Sequence, residues 1–362
     1  MLHRPYAAEF VAATGRVKEI LERVPVTMPR RYGTRRPILN HTLKLTSRAI
    51  LLALLLVLPS VVAAKGKKPK KPKPPKLTPE ERTEIRKLMM RVVRGRHPAR
   101  RSSAATSLAK LGPKASMAVP SLVNALKDRD TNVGCSAAFA LGKVGVTSKP
   151  AVKGLLLALN SGRSVDIHKA AAEALGMIGE FAQSAIPSLI KRLQKAKDGD
   201  LRAKAAAALG FLGEKAAKHG VGPLRKALED EEKQVRLSAA ISLVRLGESG
   251  PKLVKLLEGA VRKSGRAIVQ TRQAACECLG KLGSKAKDAV PVLAQAAAEK
   301  PKINTALPYA ERRLEQHTSF RRAAVHALGE IGGEDAVAAL QRASEVASLA
   351  EVAKKALAKL QK

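Results

Sequence analysis

The sequence contains no tryptophan, three tyrosines and five phenylalanines, so aromatics make up 2% of 362 residues. A large globular core built on bulky rings is therefore excluded, as are the stacking platforms that binders of single-stranded nucleic acid use. Three cysteines are too few for a disulfide framework or a four-ligand zinc site, and Cys276 and Cys278 stand two apart rather than three. Together with Cys135 they read as small core residues. The seven histidines form no HExxH spacing, and there is no phosphate loop, nucleophile elbow or paired-carboxylate constellation. No catalytic residue, metal or cofactor is assigned from the sequence, and the chain reads as a binding protein rather than an enzyme.

Acidic residues are also scarce: 30 against 67 lysines and arginines, a formal charge of +37. Residues 1–64 carry +7, residues 65–76 another +7, and residues 77–362 the remaining +23. The C-terminal region is basic in its own right, which favours acidic partners and salt-sensitive association. Sign alone leaves acidic protein, nucleic acid, anionic glycan and lipid all open.

The only long apolar run is AILLALLLVLPSVVAA at 49–64, preceded by Arg35, Arg36, Lys44 and Arg48. A positive flank, a short apolar stretch, the Pro59-Ser60 break and small residues ending at Ala64 predict a secretory signal cleaved after Ala64. The alternative is an uncleaved single-pass anchor, for which about 20 apolar residues are usual. Either way the repeats are expected outside the cytoplasm, as an exported, periplasmic or secreted protein. The basic leader, 1–48, is longer than such signals need, and Met28 offers a later start that would make 1–27 an extension. Residues 65–76, KGKKPKKPKPPK, hold seven lysines and four prolines and predict an extended charged linker. An amphipathic capping helix is expected over 77–98, opened by Thr78-Pro79-Glu80-Glu81.

What the sequence has in abundance is repetition. SLAKLG at 107–112 recurs as ALGKVG (140–145), ALGMIG (174–179), ALGFLG (208–213), SLVRLG (242–247), CLGKLG (278–283) and ALGEIG (327–332), with final glycines 33, 34, 34, 34, 36 and 49 residues apart. The last interval holds an insertion near 299–320. Eight residues before each glycine stands an alanine (Ala104, Ala137, Ala171, Ala205, Ala239, Ala275, Ala324), and four before it a leucine (Leu108, Leu141, Leu175, Leu209, Leu243, Leu279, Leu328). With the apolar residue just before the glycine, these offsets fall on one helix face. A second helix follows, opened by Pro120, Pro187 or Pro291 in three copies. The chain thus predicts an all-α protein, an α-solenoid of about seven antiparallel helix pairs over 99–362.

VPSLVNALKDRDTNVGCSAAFALGKVG and VGPLRKALEDEEKQVRLSAAISLVRLG resemble HEAT repeats, in particular the short subclass seen in phycobilin lyases. The tetratricopeptide Trp and Tyr positions and the ankyrin TPLH signature are missing. The resemblance implies a superhelix, and it admits many functions. Among HEAT-type enzymes, deoxyhypusine hydroxylases carry repeated His-Glu pairs that this chain lacks. Alkylpurine glycosylases use cleft aromatics, and a phycobilin lyase needs a pigment system that an export signal argues against.

Two rows are candidate functional positions. Eleven before the glycine stand Arg101, Gly134, His168, Arg202, Arg236, Arg272 and Arg321. The resemblance implies that these arginines pair with acids of neighbouring turns, and Asp130, Asp198 and Glu232 stand four positions earlier; an anion track is the alternative. Two before the glycine stand Lys110, Lys143, Met177, Phe211, Arg245, Lys281 and Glu330. This row is expected to face solvent on the concave side, with Met177 and Phe211 as an apolar centre between basic flanks. Such a groove suits an acidic protein segment with an apolar anchor, and no small-molecule substrate is expected.

Overall fold

A computed structural model describes residues 77–145, 147–262, 269–301 and 310–361. The leader 1–48, the apolar run 49–64 and the linker 65–76 lie outside the described residues. Among the described residues all regular structure is helical. The odd-numbered helices are α1 (Pro79–Arg94), α3 (Val119–Ala125), α5 (Lys149–Asn160), α7 (Ile186–Lys195), α9 (Glu214–Lys226), α11 (Pro251–Val261), α13 (Val290–Ala298) and α15 (Glu334–Ser344). They alternate with α2 (Pro98–Leu111), α4 (Thr131–Val144), α6 (Val165–Ile178), α8 (Gly199–Leu209), α10 (Lys233–Arg245), α12 (Val269–Leu282), α14 (Ala310–Ile331) and α16 (Ala350–Leu360). Helices α2 to α14 of this second set carry the repeated motif, and α16 stacks after them.

Local chemistry sets the boundaries. Thr78 and Glu81 form a reciprocal capping box at the start of α1, with the Glu81 amide donating to Thr78 Oγ1 at 3.2 Å and the Thr78 amide to Glu81 Oε2 at 3.1 Å. Asp130 Oδ1 accepts the amides of Asn132 and Val133 and so caps α4, and Asp198 Oδ1 caps α8 through Leu201 at 2.7 Å. The motif glycine ends the helix because the chain then turns into left-handed backbone: φ is 56° at Gly112, 66° at Gly179, 74° at Gly213, 92° at Gly247, 55° at Gly283 and 71° at Gly332. Gly145 alone of the seven turns with a negative φ. In the copies with Pro120, Pro187 and Pro291, a 3-10 turn of seven residues precedes the proline-opened helix.

The core is a single apolar layer between the two sets of helices, running from Ile85 to Ala353. The leucine row fills it, and all seven leucines are buried. At about 1.5 to 3 kcal/mol each, these leucines are a principal apolar contribution of every repeat. Successive motif helices approach to backbone contact at the glycine three before the motif's end. A Cβ on Gly142 would lie 3.1 Å from Ala174 Cα, one on Gly176 3.0 Å from Ala208 Cα, and one on Gly280 3.0 Å from Ala327 Cα. In the other layer, a Cβ on Gly154 would meet side chains and no backbone, Val123 at 3.0 Å and Leu126 at 3.5 Å. Where such a stack curves, the more closely spaced layer lies inside, which puts the motif helices on the concave side. The insertion before the last repeat is absorbed in part by α14, which has 22 residues where α4, α6 and α12 have 14.

Candidate functional site

Three of the ladder arginines pair with acids of neighbouring turns, but not with the expected ones. Arg101 donates to both carboxylate oxygens of Asp128 at 2.7 and 2.8 Å, and Arg202 does the same to Asp230 at 2.8 and 2.9 Å. Arg272 grips Glu299. Each acid lies in the turn leading to the next motif helix. Asp130 and Asp198 are occupied instead as helix caps, and Glu232 makes no side-chain cap bond. The acids that pair stand two residues earlier than two of those expected, where the guanidinium can reach both oxygens. Arg236 reaches only the carbonyls of Asp230 and Glu231, Arg321 donates to Ala297 O at 2.8 Å, and His168 Nε2 lies 2.8 Å from Ser161 O. The guanidiniums beside Asp128, Asp230 and Glu299 hold these carboxyls below their usual range. Every ladder arginine is thus engaged, Arg101, Arg202 and Arg272 by acids and Arg236 and Arg321 by carbonyls.

The row two before the glycine and the row six before it lie one turn apart on the same helix and so share one side of it, although Ile241 of the second row is itself packed into the core. Sequence reasoning missed this second row: Thr106, Phe139, Glu173, Ala207, Ile241, Glu277 and His326. Its signal was available in the spacing, but its mixed composition hid it.

The concave row is shingled rather than freely solvated. A Cβ at Gly142 would lie 3.0 Å from Met177 Sδ, and one at Gly176 3.8 Å from Phe211 Cδ2. Each side chain thus leans over the glycine of the preceding helix. Met177 is in consequence only 6% exposed, which corrects its assignment as a solvent-facing anchor. Phe211 is half-buried, and the Arg245 guanidinium lies over its ring, 4.1 Å from the centroid. Lys143 is half-buried, while Lys110 and Lys281 are exposed at either side.

At the centre, Glu173 is 3% exposed and receives Lys204 Nζ at 2.9 Å, while its Oε1 has no partner. Burial pushes its carboxyl up against the pull of Lys204 and Lys143, and burial lowers the Lys143 ammonium. Arg245 is likewise lowered by desolvation, and among the described residues it has no hydrogen bond or ion pair. A partly buried guanidinium on an aromatic face, with its donors unused, has the geometry to accept a carboxylate or other anion. No group of histidines, cysteines and acids among the described residues is placed to hold a metal ion. The three cysteines are free, and burial pushes the thiols of Cys135 and Cys278 up to about 12 and about 11 and raises that of Cys276 further.

A family model described as HEAT repeats matches residues 85–176, 119–210 and 186–272, and one described as PBS lyase HEAT-like repeat matches 320–345. No curated protein matches the chain. Among solved structures, the CpcE–CpcF complex of phycocyanin lyase from Nostoc sp. PCC7120 is similar at 22% identity, over 82% of this chain and 99% of that chain, with a TM-score of 0.50. YibA of Escherichia coli aligns at 17% identity over 80% of this chain and 100% of its own, with a TM-score of 0.48. A designed armadillo repeat protein in complex with the peptide (KR)4 aligns at 17% over 54% and 99%, with a TM-score of 0.37. The first likeness shows the fold.

Proposed function

The chain belongs to the HEAT-repeat family, and from that premise we propose that it is an exported, non-catalytic scaffold that holds an acidic segment of a protein partner on its concave face. The observation that carries this reading is Arg245, stacked on Phe211 and without an acid of its own. A partner carboxylate completes the guanidinium's hydrogen bonding, and an apolar neighbour in the same segment lies against the remaining Phe211 surface. Lys143 and Lys281 extend the positive field on either side. Because a solenoid's surface is formed in advance, little ordering cost falls on the scaffold when the partner binds.

The test is fluorescence anisotropy with a labelled Asp/Glu-rich peptide carrying a central Leu-Phe pair. Saturable binding is expected, with Arg245→Ala and Phe211→Ala each weakening it at least about tenfold and Lys191→Ala, on α7, leaving it unchanged. Equal binding by all three variants, or equal affinity for heparin and duplex DNA, would overturn the reading in favour of a general polyanion binder. Export is tested separately by N-terminal sequencing of fractionated cells: a chain beginning at Lys65 outside the cytoplasm supports it, and an uncleaved cytoplasmic chain refutes it.

A further inference from the structure

Among the described residues, no repeat precedes the first helix of the stack or covers its outer face. Ile85, Leu88 and Val92 of α1 turn inward and are buried. The opposite face is an open shallow hollow lined by Thr83, Arg86, Lys87, Met90, Arg91 and Arg94. Met90 is 50% exposed and Val93, three residues on and beside it, 46% exposed. Large apolar side chains are rarely left open elsewhere on the described surface, yet here two adjoin within one turn. The four bases around them make no ion pair among the described residues, whereas Glu81 at the helix start is committed to Lys114 at 2.6 Å. End repeats of a solenoid ordinarily carry a polar outer face for solubility. This one joins unpaired cations to exposed apolar groups.

In sequence the same helix follows the seven-lysine segment 65–76, which itself follows the apolar run 49–64. A cationic face with a small apolar centre, directly after a polybasic segment, matches the chemistry of an anionic bilayer surface. We infer that the outer face of α1 docks on anionic lipid, with Arg86, Lys87, Arg91 and Arg94 meeting headgroup phosphates and Met90 and Val93 entering the headgroup boundary. A soluble polyanion is attracted by the same charges but offers Met90 no apolar surroundings, and that difference separates the two. The inference is independent of the concave-face reading, since it uses neither Arg245 nor Phe211.

The experiment uses the full chain with Met90→Cys labelled by an environment-sensitive fluorophore. Cys276 and Cys278 are shielded by burial and the thiol of half-buried Cys135 is raised to about 12, so labelling at pH 7 favours the introduced one. Vesicles of mixed phosphatidylcholine and phosphatidylglycerol are expected to blue-shift the emission. Pure phosphatidylcholine, heparin and duplex DNA are expected to leave it unchanged. Reversing the four bases to Glu lowers partitioning onto the anionic vesicles by at least about 1,000-fold, with helicity retained by circular dichroism. Three results overturn the inference. The protein sediments with anionic vesicles while the dye stays unshifted, which assigns binding to the lysine segment alone. The shift appears equally with heparin or DNA. Or the dye is already blue-shifted without vesicles, which means that another part of the chain or a second copy covers the face.

Discussion

Gly210 follows α8 in right-handed backbone (φ −65°, ψ −11°), so alanine there meets no dihedral penalty and gains up to about 1 kcal/mol of helix propensity. Packing decides otherwise. An added Cβ would lie 2.6 Å from Ser242 Oγ, 2.8 Å from Ser242 Cβ and 2.8 Å from Ser242 Cα, against an ordinary carbon contact of about 3.5 to 4.0 Å. Because the Cα belongs to the backbone of α10, no rotamer change relieves the clash, and α10 must retreat by about an ångström. The retreat also stretches the buried hydrogen bond that Ser242 Oγ donates to Ala206 O at 2.8 Å. Overpacking costs about 1 to 3 kcal/mol and the hydrogen bond about 1 kcal/mol more, so Gly210→Ala is expected to lose about 1 to 3 kcal/mol after the propensity gain. Urea unfolding followed by far-ultraviolet circular dichroism measures it. Gly259→Ala is the control: it lies in α11, a Cβ there meets nothing within 4 Å, and a gain of about 0.5 kcal/mol is expected. If Gly210→Ala unfolds at the same urea concentration as wild type or above it, the close approach of the motif helices is refuted as the reason for that glycine.

Arg202→Ala strands the half-buried Asp230 carboxylate and is expected to cost about 3 to 5 kcal/mol, whereas Arg236→Ala, which removes bonds to carbonyls alone, costs about 1 to 2 kcal/mol; thermal unfolding of the two variants compares them directly. Asp230 titrates lower in the folded state than its unfolded value of about 3.9, so its stabilising contribution is complete above that pH and disappears as pH falls through the folded value. The stability gap between wild type and Asp230→Asn is therefore expected to be constant from about pH 5 to 8 and to close below about pH 4, as read from urea titrations across that range. Ellman's reagent at pH 8 is expected to react slowly with the native chain and promptly with the urea-unfolded one, because Cys276 and Cys278 are buried and Cys135 is half-buried with its thiol raised to about 12; prompt reaction in the absence of urea would contradict the packing of α4 and α12.

The fold was legible because a solenoid repeats its signals in order. The leucine and alanine rows and the final glycine recur once per helix pair, and each has a local cause: a buried face, or a left-handed turn that glycine adopts without strain. The concave face was only partly legible. Its row two before the glycine could be counted out, but the burial of Met177 depends on Gly142 of the preceding helix, and no spacing within one repeat reveals that. The ladder pairing failed for a related reason. Both Asp128 and Asp130 lie in one turn, and only the three-dimensional path of that turn assigns one to Arg101 and the other to the helix cap.

The sequence by itself therefore determined the architecture, the phase of its core and the positive charge of the repeats, since periodicity and composition are properties of the chain. Tertiary structure alone decided which side chains are free. Among the described residues, Glu173 is buried with one oxygen unpartnered, Arg245 rests on Phe211 without an acid, and Met90 stays exposed on α1. Each of those states depends on how closely neighbouring helices of the described stack approach one another.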